Sequence, residues 1–135
     1  MKYEKSCGAV IYRNNESQIE YLLVFNKKAG ANGYWGFPKG PTEGAENEYE
    51  TAQREIFEEI GISVVFCGNT KVVTTYSPKE GVTKDAVYFL ATPKNGQEIK
   101  IQCEEIAEYS WCSSEKAHIL LTYDTQVLDK IEKLM

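Results

Sequence analysis

Between Pro41 and Ile60 the chain carries seven glutamates (Glu43, Glu46, Glu48, Glu50, Glu55, Glu58 and Glu59) against one positive residue, Arg54. That segment alone sums to −6. The whole chain of 135 residues sums to −5, so everything outside the segment sums to +1. The acidity is therefore local: one short stretch concentrates carboxylates. A length of 135 residues argues for a single domain over 1–135, because domains most often run about 100–150 residues. A composition of 42% hydrophobic and 26% charged residues is globular and excludes wholesale disorder. No stretch approaches the roughly 20 apolar residues of a membrane span, and Met1 to Cys7 lacks the apolar run of a secretion signal. An acidic chain without a basic stripe is a poor nucleic-acid binder. Neither a membrane nor a stable nucleic-acid partner is expected, and the expected location is cytoplasmic.

Cys7, Cys67, Cys103 and Cys112 form no C-x-x-C pair, and His118 is the single histidine, so no zinc site is expected and the thiols read as reduced. Lys5 to Arg13 and Ile19 to Asn26 read as two strands joined by the turn-rich Asn14 to Ser17, a hairpin. A loop follows from Lys27 to Tyr34, containing Gly30, Asn32 and Gly33. From Trp35 to Pro41 glycine and proline prevent any long regular element. The pattern then turns helical over Asn47 to Ile60, with Gly61 at the position where a helix end favours positive φ. Ile62 to Thr75 holds one long or two short strands. Ala86 to Thr92 and Ala107 to Cys112 are further strands, and Gln97 to Ile101 alternates like an edge strand. Ser113 and Ser114 can cap a helix running to about Leu121, and Asp124 opens a terminal helix through Leu134. This order of elements predicts an α+β sandwich.

On a helical wheel, Tyr49, Ala52, Ile56, Phe57 and Ile60 cover one apolar side, while Glu55, Glu58 and Glu59 fall on the other within an arc of about 100°. Neighbouring carboxylates at these spacings repel. A hard divalent cation, Mg²⁺ or Mn²⁺, prefers oxygen ligands and offsets that repulsion; a solvated acidic face is the alternative.

Read from Gly40, the fixed residues are Gly40, Glu46, Arg54, Glu55, Glu58, Glu59 and Gly61, with aliphatic Ile56 and Ile62 at the remaining specified places. The segment resembles the Nudix box, G-x5-E-x7-R-E-U-x-E-E-x-G-U with U aliphatic, at every fixed position, and it covers 23 of the 135 residues. The resemblance implies the Nudix fold, an α/β/α sandwich with a mixed β-sheet and a catalytic loop–helix–loop over 40–62. It also implies hydrolysis of a nucleoside diphosphate linked to another moiety, with Mg²⁺ or Mn²⁺ as cofactor. Carried over, Glu55, Glu58 and Glu59 are the metal carboxylates, and the backbone carbonyl of Lys39 or Gly40 completes the coordination. Arg54 orients one of the glutamates, Gly40 permits the turn, and Glu46 supports the loop.

Outside the box the chain is similar to the asymmetrical diadenosine tetraphosphate hydrolases in four places: Ser6 to Arg13, Trp35 to Gly40, Tyr76 through Lys84 to Ala91, and Glu105 through Tyr109 and Trp111 to Tyr123. That similarity implies a small-molecule nucleotide substrate, with Lys39 and Lys84 meeting phosphate oxygens and Tyr76 and Tyr123 stacking on a purine. Glu105 adds a carboxylate as metal ligand or water-orienting base, so the implied catalytic group is Glu58, Glu55, Arg54 and Glu105. Two departures stand out. Pro41 stiffens the loop where many relatives have Gly or His, and Ile106 follows Glu105 where some have His. The remaining histidine, His118, lies on a predicted helix in a structural role. The expected reaction is asymmetric cleavage of diadenosine tetraphosphate to ATP and AMP by a monomer. The alternatives are an RNA 5′-pyrophosphohydrolase or a housecleaning nucleoside triphosphate pyrophosphatase and, from another class, a nucleotide-sensing module without hydrolysis. The lack of a basic patch speaks against an RNA substrate, and the complete box speaks against a silent module.

Overall fold

A computed structural model describes residues 1–27 and 32–135. The apolar run of β1 (Lys2–Asn15) is buried on both faces from Cys7 to Ile11, which places it centrally in a sheet. β2 (Gln18–Asn26) turns back on it through Glu16 and Ser17, both at positive φ (51° and 70°). Two such residues make the tight turn whose twist matches a hairpin, and Asn15 faces Gln18 across it. The predicted loop containing Gly30 lies in part outside the described residues. The Gly/Pro segment holds two three-residue strands, β3 (Tyr34–Gly36) against β2 and β4 (Lys39–Pro41) against Ser6 to Gly8 of β1. Gly8 lets β4 come close, since a Cβ there would lie 1.9 Å from the Pro38 carbonyl oxygen.

The helix α1 spans Glu48–Ile60. Beyond it, β5 (Val64–Lys79) pairs antiparallel with β6 (Val82–Pro93), which runs parallel to β1, so the sheet is mixed. β7 (Ile106–Ser113) pairs with β2, and α2 (Ser114–Leu120) and α3 (Thr125–Leu134) close the chain. Strand order is β3-β2-β1-β6-β5, with β4 on β1 and β7 on β2.

Alternate residues of the central strands feed two cores. Cys7, Ala9, Ile11, Val87, Phe89 and Ala91 pack toward Ala52, Ile56 and Ile60 of α1. Val10, Tyr88 and Leu90 pack toward Ala117 of α2 and Val127, Leu128 and Ile131 of α3. The result is the expected α/β/α sandwich.

One predicted element is absent. Gln97 to Ile101 is not a strand. The Gln97 side-chain amide instead exchanges two hydrogen bonds of 2.8 Å with the backbone of Ser63, and the Lys100 N–H donates to the Ile60 carbonyl at 2.9 Å. The alternation that reads as an edge strand serves to cover the end of α1.

Candidate active site

Asn47 starts α1 by accepting the Glu50 N–H on its side chain (2.8 Å), while the Glu50 carboxylate accepts the Asn47 N–H (2.9 Å). Gly61 ends it in the left-handed region, φ 72°. Between these caps the buried residues are Thr51, Ala52, Glu55, Ile56, Glu59 and Ile60. This corrects the wheel in one respect: Phe57 is 52% exposed rather than part of the apolar side. Glu55 (9%) and Glu59 (6%) are buried, against the alternative of a solvated acidic face, and Glu58 stays exposed. The cause is β4, which covers that side of the helix, and Gly40 in particular. A Cβ at Gly40 would fall 2.0 Å from the Glu55 carboxyl carbon, so only glycine leaves the carboxylate its place.

Arg54 organises the glutamates. Its Nε and Nη2 donate to Glu46 at 2.6 and 3.1 Å, its Nη1 donates to Glu55 (2.8 Å) and Glu58 (3.1 Å), and Nη2 also reaches the Pro41 carbonyl at 2.9 Å. Glu43 completes the group with an ion pair at 3.3 Å. The Arg54 hydrogen bonds hold the Glu46 carboxyl down at about 2, helped by the Glu43 N–H and the Thr51 hydroxyl. Glu46 thus braces the loop on Arg54, and Pro41 takes part through its backbone.

Glu59 has the opposite surroundings. Burial, followed by the charges of Glu55 and Glu105, pushes its carboxyl up to about 8, against the pull of the Lys39 ammonium and the Lys39 backbone N–H. Its Oε1 is buried without a hydrogen-bond partner. Burial likewise raises Glu55, against Arg54. Glu58 and Glu59 also sit in the last turn, where the helix dipole is negative and no basic residue compensates it.

Next to the glutamates lies an aromatic and cationic wall. Lys39 is partly enclosed, which lowers its pKa, and the charges of Asp124 and Glu59 oppose that shift. Tyr123, 71% exposed, meets the Tyr34 ring edge-on at 5.4 Å between centroids. Tyr76, 41% exposed, faces Lys84 across the β5–β6 ladder. Glu59 feels the charges of Glu105 and Lys39, and Tyr34 lies close enough to Glu59, Tyr76 and Tyr123 to feel all three. Lys84 stands between Tyr76 of β5 and Glu4 of β1 in the sheet, and among the described residues it makes no ion pair with the acidic group. Tyr34 and Asp124 belong to this wall and were not singled out from the sequence. Burial, then the charge of Asp124, pushes the Tyr34 phenol up to about 12. Asp124 holds the N-cap position of α3, yet its side chain caps nothing and instead accepts the Tyr88 hydroxyl at 3.2 Å. An aspartate before a helix reads as a cap, and only the missing cap bond reveals its other use.

The family model for the NUDIX domain matches residues 2–134. The chain belongs to the Nudix family. As a Nudix enzyme it is a hydrolase acting on phosphorus-containing acid anhydrides. Its relatives include the asymmetrical bis(5′-nucleosyl)-tetraphosphatase of Caenorhabditis elegans, 29% identical over 121 residues (88% of this chain, 86% of the relative). The mouse protein of the same name is 32% identical over 127 residues (84% and 81%). The crystal structure of a C. elegans Ap4A hydrolase binary complex superimposes with a TM-score of 0.84 at 26% identity, covering 97% of this chain and 96% of that one.

The Nudix carboxylates of this chain fit a divalent metal. An all-oxygen donor set, a buried carboxylate oxygen with no partner, and a glycine that clears space for the second carboxylate suit a hard cation. A second group that could hold an ion, His118 with Asp129 and Glu132, lies away from the box. Both of its ring nitrogens face oxygen acceptors at 2.7 Å, Ser114 O and Asp129 Oδ1, so it reads as an imidazolium tying α2 to α3. Among the described residues no helix is long and apolar enough to cross a membrane.

Proposed function

We propose that this Nudix hydrolase cleaves dinucleoside polyphosphates with the help of Mg²⁺ or Mn²⁺, splitting diadenosine tetraphosphate asymmetrically into ATP and AMP. The observation that carries this reading is the juxtaposition of the buried Glu55–Glu59 pair, with its unpartnered oxygen, and the wall of Lys39, Tyr34, Tyr76 and Tyr123. The names of the C. elegans and mouse relatives point to the same substrate class.

Glu55, Glu58 and Glu59 hold the cation, with the Lys39 backbone carbonyl as a further oxygen. When bound, the cation neutralises polyphosphate charge and acidifies water. The rest is done by the chain. Arg54 keeps Glu55 and Glu58 at fixed spacing, so the groups around the attacking water are oriented before substrate arrives. Glu58, exposed at the mouth of the site, or Glu105 opposite Glu59, takes the proton as the water oxygen bonds to phosphorus and the phosphoanhydride P–O bond breaks. Lys39 and Lys84 meet phosphate oxygens as point charges. The exposed rings of Tyr123 and Tyr76 offer stacking faces for a purine.

Product analysis tests the reading. The purified protein is incubated with diadenosine tetraphosphate and Mg²⁺, and the nucleotides are resolved by anion exchange. Equal ATP and AMP are expected. Two ADP would overturn the asymmetric geometry, and faster turnover of triphosphorylated RNA would move the substrate class.

A further inference from the structure

We propose that Gln102 is a positioning residue, the latch that holds the Glu105 turn against the carboxylate-bearing end of α1. The last carbonyls of a helix have no partner within it, and no basic side chain stands in the last turn of α1. The segment after β6 supplies the partners. The Lys100 N–H donates to Ile60 O at 2.9 Å, and the Gln102 N–H donates to Glu59 O at 3.0 Å. The Gln102 side-chain amide then reaches back to Phe57 O at 3.0 Å, sharing that oxygen with the Gly61 N–H at 2.9 Å. Gly61 leaves room for this approach, since a Cβ there would sit 3.0 Å from Lys100 O and 3.2 Å from the Gln102 amide carbon.

Three residues on, the chain reverses. The Ile106 N–H donates to Cys103 O at 3.2 Å, the Glu105 N–H meets Cys103 Sγ at 3.4 Å, and the Lys27 N–H donates to Glu105 O at 2.8 Å. Glu105 is thus carried on a turn with one fixed end at β2 and the other at the Glu59 carbonyl. Gln102 is the only side chain among the described residues that donates to the α1 end in this way. It is solvent-exposed, and an exposed hydrogen bond contributes little net stability. Its consequence is precision: the turn bearing Glu105 is tied to the Glu59 end of α1, where the Glu59 carboxyl feels the Glu105 charge and small displacements are costly to rate.

This inference rests on the proposed hydrolysis for its kinetic part, and the experiment separates the two. Gln102→Ala is expected to lower kcat on diadenosine tetraphosphate by about 10-fold or more, with KM within about twofold and Tm lowered by about 4 °C or less. Gln102→Glu keeps the shape but loses the donor, and is expected to fail alike. In a Glu105→Ala background the Gln102→Ala loss should vanish, because one residue acts through the other. Amide hydrogen exchange at Lys100 and Gln102, measured without substrate, should speed up in Gln102→Ala. Unchanged kcat, independent and additive losses, or unchanged exchange would each overturn the latch. A wild type without turnover, but with the exchange change intact, would overturn the substrate assignment and leave the latch standing.

Discussion

Glu48 and Glu59 stand eleven residues apart on one helix, and their carboxylates meet opposite surroundings. At the N-terminal end Glu48 accepts from Lys5 at 2.9 Å and Lys71 at 2.7 Å; these bonds, Lys71 first, lower its pKa, and the positive helix end favours an acid there. At the C-terminal end Glu59 is buried, one oxygen is unpartnered, and the helix dipole opposes its charge. One end is saturated with partners from its own chain; at the other, burial and the charges of Glu55 and Glu105 outweigh the pull of Lys39. Surface glutamates can be explained by the fold alone. A buried glutamate that the fold itself does not satisfy points to something the chain must bind.

The largest effect expected from breaking this contrast is catalytic. Glu58→Gln should retain the fold, judged by Tm and circular dichroism, and lose about 10²–10⁴-fold in turnover, whereas Glu48→Gln should stay near the wild-type rate. Near wild-type activity in Glu58→Gln would remove Glu58 from the mechanism. The next effect is structural. Arg54→Ala leaves Glu46, Glu55 and Glu58 without their shared counter-charge, and urea unfolding should show a loss of about 2–3 kcal/mol, below the value for a fully buried pair because Arg54 is partly exposed. The smallest effects oppose each other. Glu48→Gln should cost about 1 kcal/mol at pH 7. The folded pKa of Glu48 is depressed, so its contribution is present above the unfolded value of 4.5 and lost as pH falls through the folded value; the two urea midpoints should converge in acid. Glu59→Gln in metal-free protein at pH 7 should instead raise stability, because the wild-type carboxyl is held at about 8 when folded but ionises at about 4.5 when unfolded, a cost glutamine does not carry; the gain should fade as pH falls below the unfolded value. The Tm rise on adding Mg²⁺ should disappear in that variant.

Much of the frame was legible. The limits of α1 followed from Asn47 and Gly61, and the hairpin from the turn at Asn14 to Ser17. The wheel misplaced Phe57 and left the burial of Glu55 and Glu59 open, because it ranks faces by hydrophobicity, while the space beside Glu55 depends on Gly40 in β4. Gln97 to Ile101 failed for a related reason: alternation shows which residues face one way, not whether they face a strand or a helix end.

Composition and the spacing from Gly40 to Ile62 determined the family and the identity of the clustered carboxylates, because those depend on residue type at short range along the chain. Which carboxylate is buried without a partner, and the meeting of Tyr34 with Tyr123 and of Asp124 with Tyr88, were decided by the tertiary structure alone. Those contacts join residues far apart in the chain. No local period records them; they exist only once β4 and the loop between α2 and α3 are packed around the sheet.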